Sequence, residues 1–189
     1  MDRRSLLTTT SVLATAGLAA LAGCSAPTDE PEPRVENASF ENGLAEWETG
    51  RELPTDPNTG QPVATTIAAS SDRASDGSQS VSFFIDGRQD DGVLWVAQDV
   101  DLGGVDTLTV DVWSPEESFN TITKVAAYAG PERELTESDF DTTQAVEDHA
   151  GWRTYEYPVR HDGEGLVAVG IAVVWETEVT RYVDNVRLV

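Results

Sequence analysis

The sequence predicts an all-β domain, an antiparallel β-sandwich of the jelly-roll type. Two patterns carry this expectation. Apolar residues recur mostly at every second position, which is the signature of strands with one buried face. Turn signals separate these runs at short intervals, and no long helical period interrupts them, which is the spacing of a sandwich.

The chain begins differently. Arg3-Arg4 precede an uncharged stretch, Leu6 to Ala22, which ends in Leu21-Ala22-Gly23-Cys24. A charged start, a short apolar core and small residues before a cut site describe an export signal. The paired arginine resembles the twin-arginine type, and the final tetrapeptide resembles a lipobox, in which the cysteine becomes the lipidated first residue. The stretch is broken by Thr8, Thr9, Thr10, Ser11 and Thr15 and is too short for a spanning helix. Residues 1–23 are therefore expected to be a signal peptide, with Cys24, the only cysteine, as the lipidation site. The expected location is the outer face of the cell membrane. Residues 24–34 carry three prolines and no large apolar side chain before Val35, as in a flexible tether. Residues 35–189 are long enough for one domain with its own core.

Within that domain the clearest alternation lies in Val81–Ile85, Leu108–Val112 and Val167–Val173. Further strands are expected at Pro62–Ala69, Val93–Val100, Thr121–Ala129, Trp152–Val159 and Arg181–Val189. Turns fall at Asp76-Gly77, Asp86-Gly87, Asp91-Gly92, Gly103-Gly104, Ser114-Pro115, Gly130-Pro131 and Asp162-Gly163. A single helical turn fits Glu134–Phe140, where Thr136 and Asp139 suit capping positions.

Composition excludes some functions. The chain carries 34 Asp+Glu against 12 Lys+Arg, a formal net charge of -22, and Lys124 is its only lysine. Nucleic acid is not an expected partner, because phosphate binding needs a basic face. Self-repulsion of this size strains a compact fold at low salt. At molar salt the Debye length falls to about 3 Å and the strain largely goes. Many carboxylates with few lysines resemble the surfaces of proteins from salt-loving archaea.

Four segments in order carry a family resemblance. They are Val35–Trp47, with Phe40-Glu41 and Trp47; Ala74-Ser75-Asp76-Gly77-Ser78; Gly151-Trp152-Arg153-Thr154-Tyr155; and Tyr182-Val183-Asp184-Asn185-Val186. Together they resemble carbohydrate-binding modules with a galactose-binding-like jelly roll, the first segment matching their opening strand. The resemblance implies a structural calcium ion joining the first strand, the Asp76-Gly77 turn and the last strand. Glu41, Asp76 and Asp184 would be its acidic residues, with carbonyls of the Arg73–Ser78 turn completing the shell.

Strand parity suggests a ligand face. If Leu108, Val110 and Val112 point inward, Asp111 and Trp113 point outward. In the strand taken as their neighbour, Lys124 and Tyr128 point outward, and Trp95 joins them. Sugar rings lie flat on aromatic rings while their hydroxyls need polar partners, so Trp95, Trp113 and Tyr128 around Asp111 and Lys124 form a candidate sugar site. Trp47, Trp152 and Trp175 are assigned to the core or its rim. His149 and His161 are read as surface residues. No nucleophile elbow, zinc-binding helix or phosphate loop is present, so no catalysis is expected. The expected function is a non-catalytic carbohydrate-binding-like module. The alternative is a structural or protein-interaction domain of the cell envelope.

Overall fold

A computed structural model describes residues 34–86, 92–115, 123–146, 149–174 and 178–189, all within one compact unit, Pro33–Val189. The export segment, Cys24 and Trp175 lie outside the described residues.

Among the described residues the chain forms nine strands and one 3₁₀ turn, Glu137–Asp139. The strands are β1 (Glu48–Glu52), β2 (Thr65–Ser70), β3 (Ser80–Ile85), β4 (Gly92–Asp101), β5 (Thr107–Ser114), β6 (Thr123–Gly130), β7 (Gly151–Pro158), β8 (Glu164–Val173) and β9 (Val179–Leu188). They make two antiparallel sheets, a four-stranded one ordered β1-β4-β8-β6 and a five-stranded one ordered β2-β3-β9-β5-β7. The all-β sandwich read from the apolar period is the observed fold.

The main core lies between the sheets. Leu94, Val96, Val125, Ala127, Val167, Val169 and Ile171 project from the four-stranded sheet against Val81, Phe83, Val110, Val112, Tyr155 and Val183 from the other. The first and last segments meet, since Val186 N donates to Ala38 O at 3.0 Å. Residues 35–47 are a correction. They form successive turns rather than an opening strand, with Asn37, Phe40 and Glu46 at positive φ. Asn37 organises them by donating from its amide to Gly43 O and Ala45 O, which frees Phe40 and Trp47 to stack in the core. β1 carries no apolar alternation and was not foreseen. It is an edge strand, exposed except at Gly50.

A second, smaller core covers the outer face of the four-stranded sheet. The chain after Gly130 crosses this face and lays Phe140 and Leu135 over Val93, Trp95, Ala97, Ala126, Ala168 and Ala172. It then runs beside the edge of β6, where Ala127 and Asp141 exchange backbone hydrogen bonds and Val146 N donates to Thr123 O. As foreseen, Thr136 and Asp139 close the 3₁₀ turn. The Asp139 carboxylate accepts from Thr136 N and Oγ1 at 2.7 and 2.8 Å.

Candidate functional site

The five residues proposed for one ligand face do not share a face. Parity is as expected within each strand, but β5 and β6 belong to different sheets. Asp111 and Trp113 therefore point out from the five-stranded sheet, and Trp95, Lys124 and Tyr128 from the four-stranded one. The chain passes from one sheet to the other between these strands instead of turning back as a hairpin, a difference that strand parity cannot detect.

Trp95 is closed off, with only 8% of its surface exposed. In register it stands between Gly50 on β1 and Gly170 on β8. The indole lies in the space that Gly50 leaves, so a Cβ built there would fall inside it, whereas Gly170 lets the β4 backbone approach closely at Leu94 O. Phe140 covers it, with ring centroids 5.1 Å apart. Tyr128 meets the same phenyl ring at 6.4 Å, and its hydroxyl accepts from Glu132 N. This aromatic group is a satellite core.

The five-stranded sheet presents a different row. Trp152, Trp113 and Tyr182 stand opposite one another on β7, β5 and β9, and Ser82 of β3 continues the line. All three rings are half-buried on the outer face. Trp113 and Tyr182 meet edge to face at 5.6 Å, and the Arg73 guanidinium lies over the Trp113 ring, 4.6 Å from its centroid. Asp72 approaches the other end, 3.5 Å from the Tyr182 hydroxyl. Burial and the Asp72 charge raise the Tyr182 pKa, against the opposing effect of Arg73. The hydroxyl is therefore a proton-bearing donor at neutral pH. The sequence points to Trp113 at a ligand face but not to Tyr182, and it places Trp152 in the core or its rim.

Beside the row, Asp111 and Asp184 are direct cross-strand partners. An extra residue on β9 shifts the register here, and Asn185 takes φ 53°. This bulge lets Val183 and Val186 both point inward while Asp184 and Asn185 occupy the outer side between them. The 71–79 turn closes over the two acids. Asp184 accepts from Ser75 N, Asp76 N and Asn185 N at 2.6, 2.9 and 2.7 Å. Asp111 accepts from Ser75 Oγ, Asn185 Nδ2 and Thr154 Oγ1 at 2.5, 2.9 and 2.5 Å. Burial raises the Asp184 pKa, and the backbone N–H groups partly offset this.

Glu41 holds the far side of the turn, accepting from Ser78 N, Ser78 Oγ and Gln79 N at 2.7, 2.8 and 2.7 Å. The Asp76 carboxylate turns away towards Arg187, 3.6 Å distant. The calcium site implied by the resemblance does not fit this arrangement. The turn shows Glu41 and Asp184 its N–H groups, whereas a hard cation needs oxygens. Among the described residues no group of three or more His, Cys, Asp or Glu is placed to hold a metal ion.

His149 is also a correction. It is 7% exposed, with Nδ1 3.2 Å from the Tyr155 hydroxyl and Nε2 3.4 Å from Val112 O. Buried next to the inward ring of Tyr155, it is part of the packing. His161 is partly exposed, with Nε2 3.0 Å from Glu164 O.

No protein-family model and no curated relative matches the sequence. Solved structures do match the fold. The carbohydrate-binding module TmCBM61, solved in complex with β-1,4-galactotriose, aligns with a TM-score of 0.51 at 16% identity over 83% of this chain and 97% of its own. The enzymatically active domain of bacteriophage CBA120 tailspike protein 4 aligns with a TM-score of 0.54 at 14% identity over 83% of this chain. This chain spans 21% of that tailspike domain. The sandwich is therefore similar to those of carbohydrate-binding modules.

Proposed function

We propose that this chain is an exported, lipid-anchored, non-catalytic module that binds a glycan on the outer face of its five-stranded sheet. The observation that carries the reading is the Trp152–Trp113–Tyr182 row. Aromatic rings half-exposed on three adjacent strands span roughly 10 Å at the usual strand spacing, and ring faces are the natural partners of pyranose C–H faces. Asp72, Arg73 and the Tyr182 hydroxyl supply polar groups at the margin. The fold shared with a galactotriose-binding module supports the reading by analogy. The export and anchoring part rests on Arg3-Arg4, the lipobox-like Leu21–Cys24 and the proline-rich tether.

One observation favours the alternative of an envelope interaction domain, because the buried Trp95 and the split of Trp95 from Trp113 are what that alternative expects. The partly exposed row on the opposite sheet outweighs it. The test is a polysaccharide panel probed with the purified protein at high salt, alongside Trp152→Ala and Tyr182→Ala. Binding should fall at least about tenfold in each variant, equivalent to about 1.4 kcal/mol. If no polysaccharide is retained, or both variants bind like the parent, the glycan reading is wrong.

A further inference from the structure

We propose that the glycan bound by this face is acidic, and that Arg73 is the specificity-determining residue that pairs with a sugar carboxylate. The inference rests on the glycan reading above and adds a charge to it. Its starting point is a cation held against an aromatic ring. Arg133 meets Asp99, and Arg187 meets Asp76. Among the described residues, no carboxylate lies within ion-pair distance of Arg73. Among the described residues Arg34, Arg51 and Arg160 also make no ion pair, so it is the position over Trp113 that sets Arg73 apart. Its guanidinium makes one hydrogen bond, from Nη1 to the Asp72 carbonyl at 3.3 Å, and lies on the Trp113 ring.

Stacking occupies the flat face of a guanidinium and leaves its N–H edge outward. That edge is the fork that matches a carboxylate with two parallel hydrogen bonds. Arg73 is also held in advance of any ligand. Its carbonyl accepts from Ser80 Oγ at 2.6 Å. The turn that follows is fixed to the sheet by Asp184 and Asp111 on one side and by Glu41 on the other. A charged donor braced in this way loses little freedom on binding, which is the condition for a strong contact.

The two ends of the row differ in kind. At the Tyr182 end the Asp72 carboxylate suits sugar hydroxyls and would repel an anion. From the middle of the row, over Trp113, towards Trp152 the guanidinium suits an anion. A uronic acid residue is therefore placed over Trp152, beside the guanidinium that lies on Trp113, with its neighbour towards Tyr182. The net charge of -22 opposes the approach of an anionic polymer at low salt. At about 1 M salt the Debye length is about 3 Å, and the contact pair at Arg73 acts with that long-range repulsion removed.

The experiment compares two polymers that share a backbone, polygalacturonate and its methyl ester, at about 1 M salt. Tryptophan fluorescence reads the binding, and a neutral galactan serves as a third probe. The parent protein should prefer polygalacturonate to the methyl ester by about tenfold or more. Arg73→Met, at an exposed position, should abolish that preference, with a loss for polygalacturonate about tenfold greater than any loss for the methyl ester. Arg73→Lys should recover only part of it, because a lysine lacks the fork. Overlapping thermal melts establish that the variants are folded. Equal binding of the two polymers by the parent, or an equal loss for both in Arg73→Met, overturns the assignment of Arg73. Binding of neutral galactan alone, lost in Trp152→Ala, overturns the acidic ligand and leaves the glycan face standing. Failure of all three polymers to bind overturns both.

Discussion

Gly77 and Glu41 show how one carboxylate can fix a loop. Gly77 adopts φ +71°, which is open to glycine at little steric cost, and a Cβ there would come within 2.5 Å of the Glu41 carboxyl carbon. The absence of a side chain lets Glu41 reach the N–H groups of Ser78 and Gln79. Those donors, with the Ser78 hydroxyl, hold the Glu41 pKa below its ordinary 4.5. A carboxyl whose folded pKa is depressed contributes stability above its unfolded pKa and loses that contribution as the pH falls through the folded value. Glu41→Gln should therefore lower stability at pH 7 by the charge-assisted part of these bonds and flatten part of the acid limb of a stability-versus-pH curve below about pH 4.5, where the two curves converge. A glutamine can keep both backbone N–H groups on its Oε1, and the Ser78 hydroxyl can rotate to accept. Asp184 acts in the opposite sense. Burial raises its pKa, so its ionised form costs stability and the fold gains as the pH falls through that raised value. Urea melts of the parent and Glu41→Gln between about pH 3 and 7 check the difference, and identical acid limbs would show that Glu41 is not a clamp. The sequence located this turn and both acids through the Phe40-Glu41, Asp76-Gly77 and Asp184-Asn185 markers. It could not reveal whether the turn offers them N–H groups or carbonyls, because that depends on local peptide orientation.

The elements were read best where one face meets the core and the other meets water. β3 and β5 alternate as the sequence suggests. β4 and β8 do so less, and the reason was present in the chain. Val93-Leu94-Trp95-Val96-Ala97 and Leu166–Val173 are continuous apolar runs, the mark of strands covered on both faces. Reading them as half-exposed strands led to Trp95 being placed at a ligand face. The missing cover is the 131–140 crossing, whose own apolar content is little more than Leu135 and Phe140. Polar contacts align it, with Arg133 meeting Asp99 and Glu137 N donating to Glu52 at 2.6 Å. Phe140→Ala should destabilise the fold by about 2–4 kcal/mol, as for other large-to-small changes in a packed site, and should increase the solvent exposure of Trp95. Gly50→Ala should destabilise it too, since the added methyl meets the indole directly. Chemical denaturation and acrylamide quenching of tryptophan fluorescence check both. If Phe140→Ala is neutral in stability and in quenching, the crossing does not cover the sheet in solution.

At the scale of the whole molecule, charge and topology act separately. Topology decides which side chains meet, and the crossing from β5 to β6 decided most of the site. An antiparallel hairpin and a passage to the other sheet leave the same alternation in each strand, so residues on both strands can be assigned correctly inward or outward and still lie on opposite sides of the sandwich. The aromatic row escaped notice for the same reason. Trp152, Trp113 and Tyr182 are neighbours only through the order β7-β5-β9. Charge acts without regard to that order. A net charge of -22 on 189 residues makes repulsion a global term. The contacts that hold the turns are short, whereas the repulsion summed over the surface is long-ranged, and salt weakens the second far more than the first. The melting temperature should therefore rise with KCl by on the order of 5–10 °C, about 2–3 kcal/mol for a chain of this size. Most of the rise should come below about 1 M, as the Debye length shortens from about 10 Å to about 3 Å. A non-ionic osmolyte, which is excluded from protein surfaces but does not screen charge, should give a smaller gain without that early steep phase. A melting temperature indifferent to KCl, or an equal response to sucrose, would mean that this surface tolerates its charge by local pairing and that screening has no part in its stability.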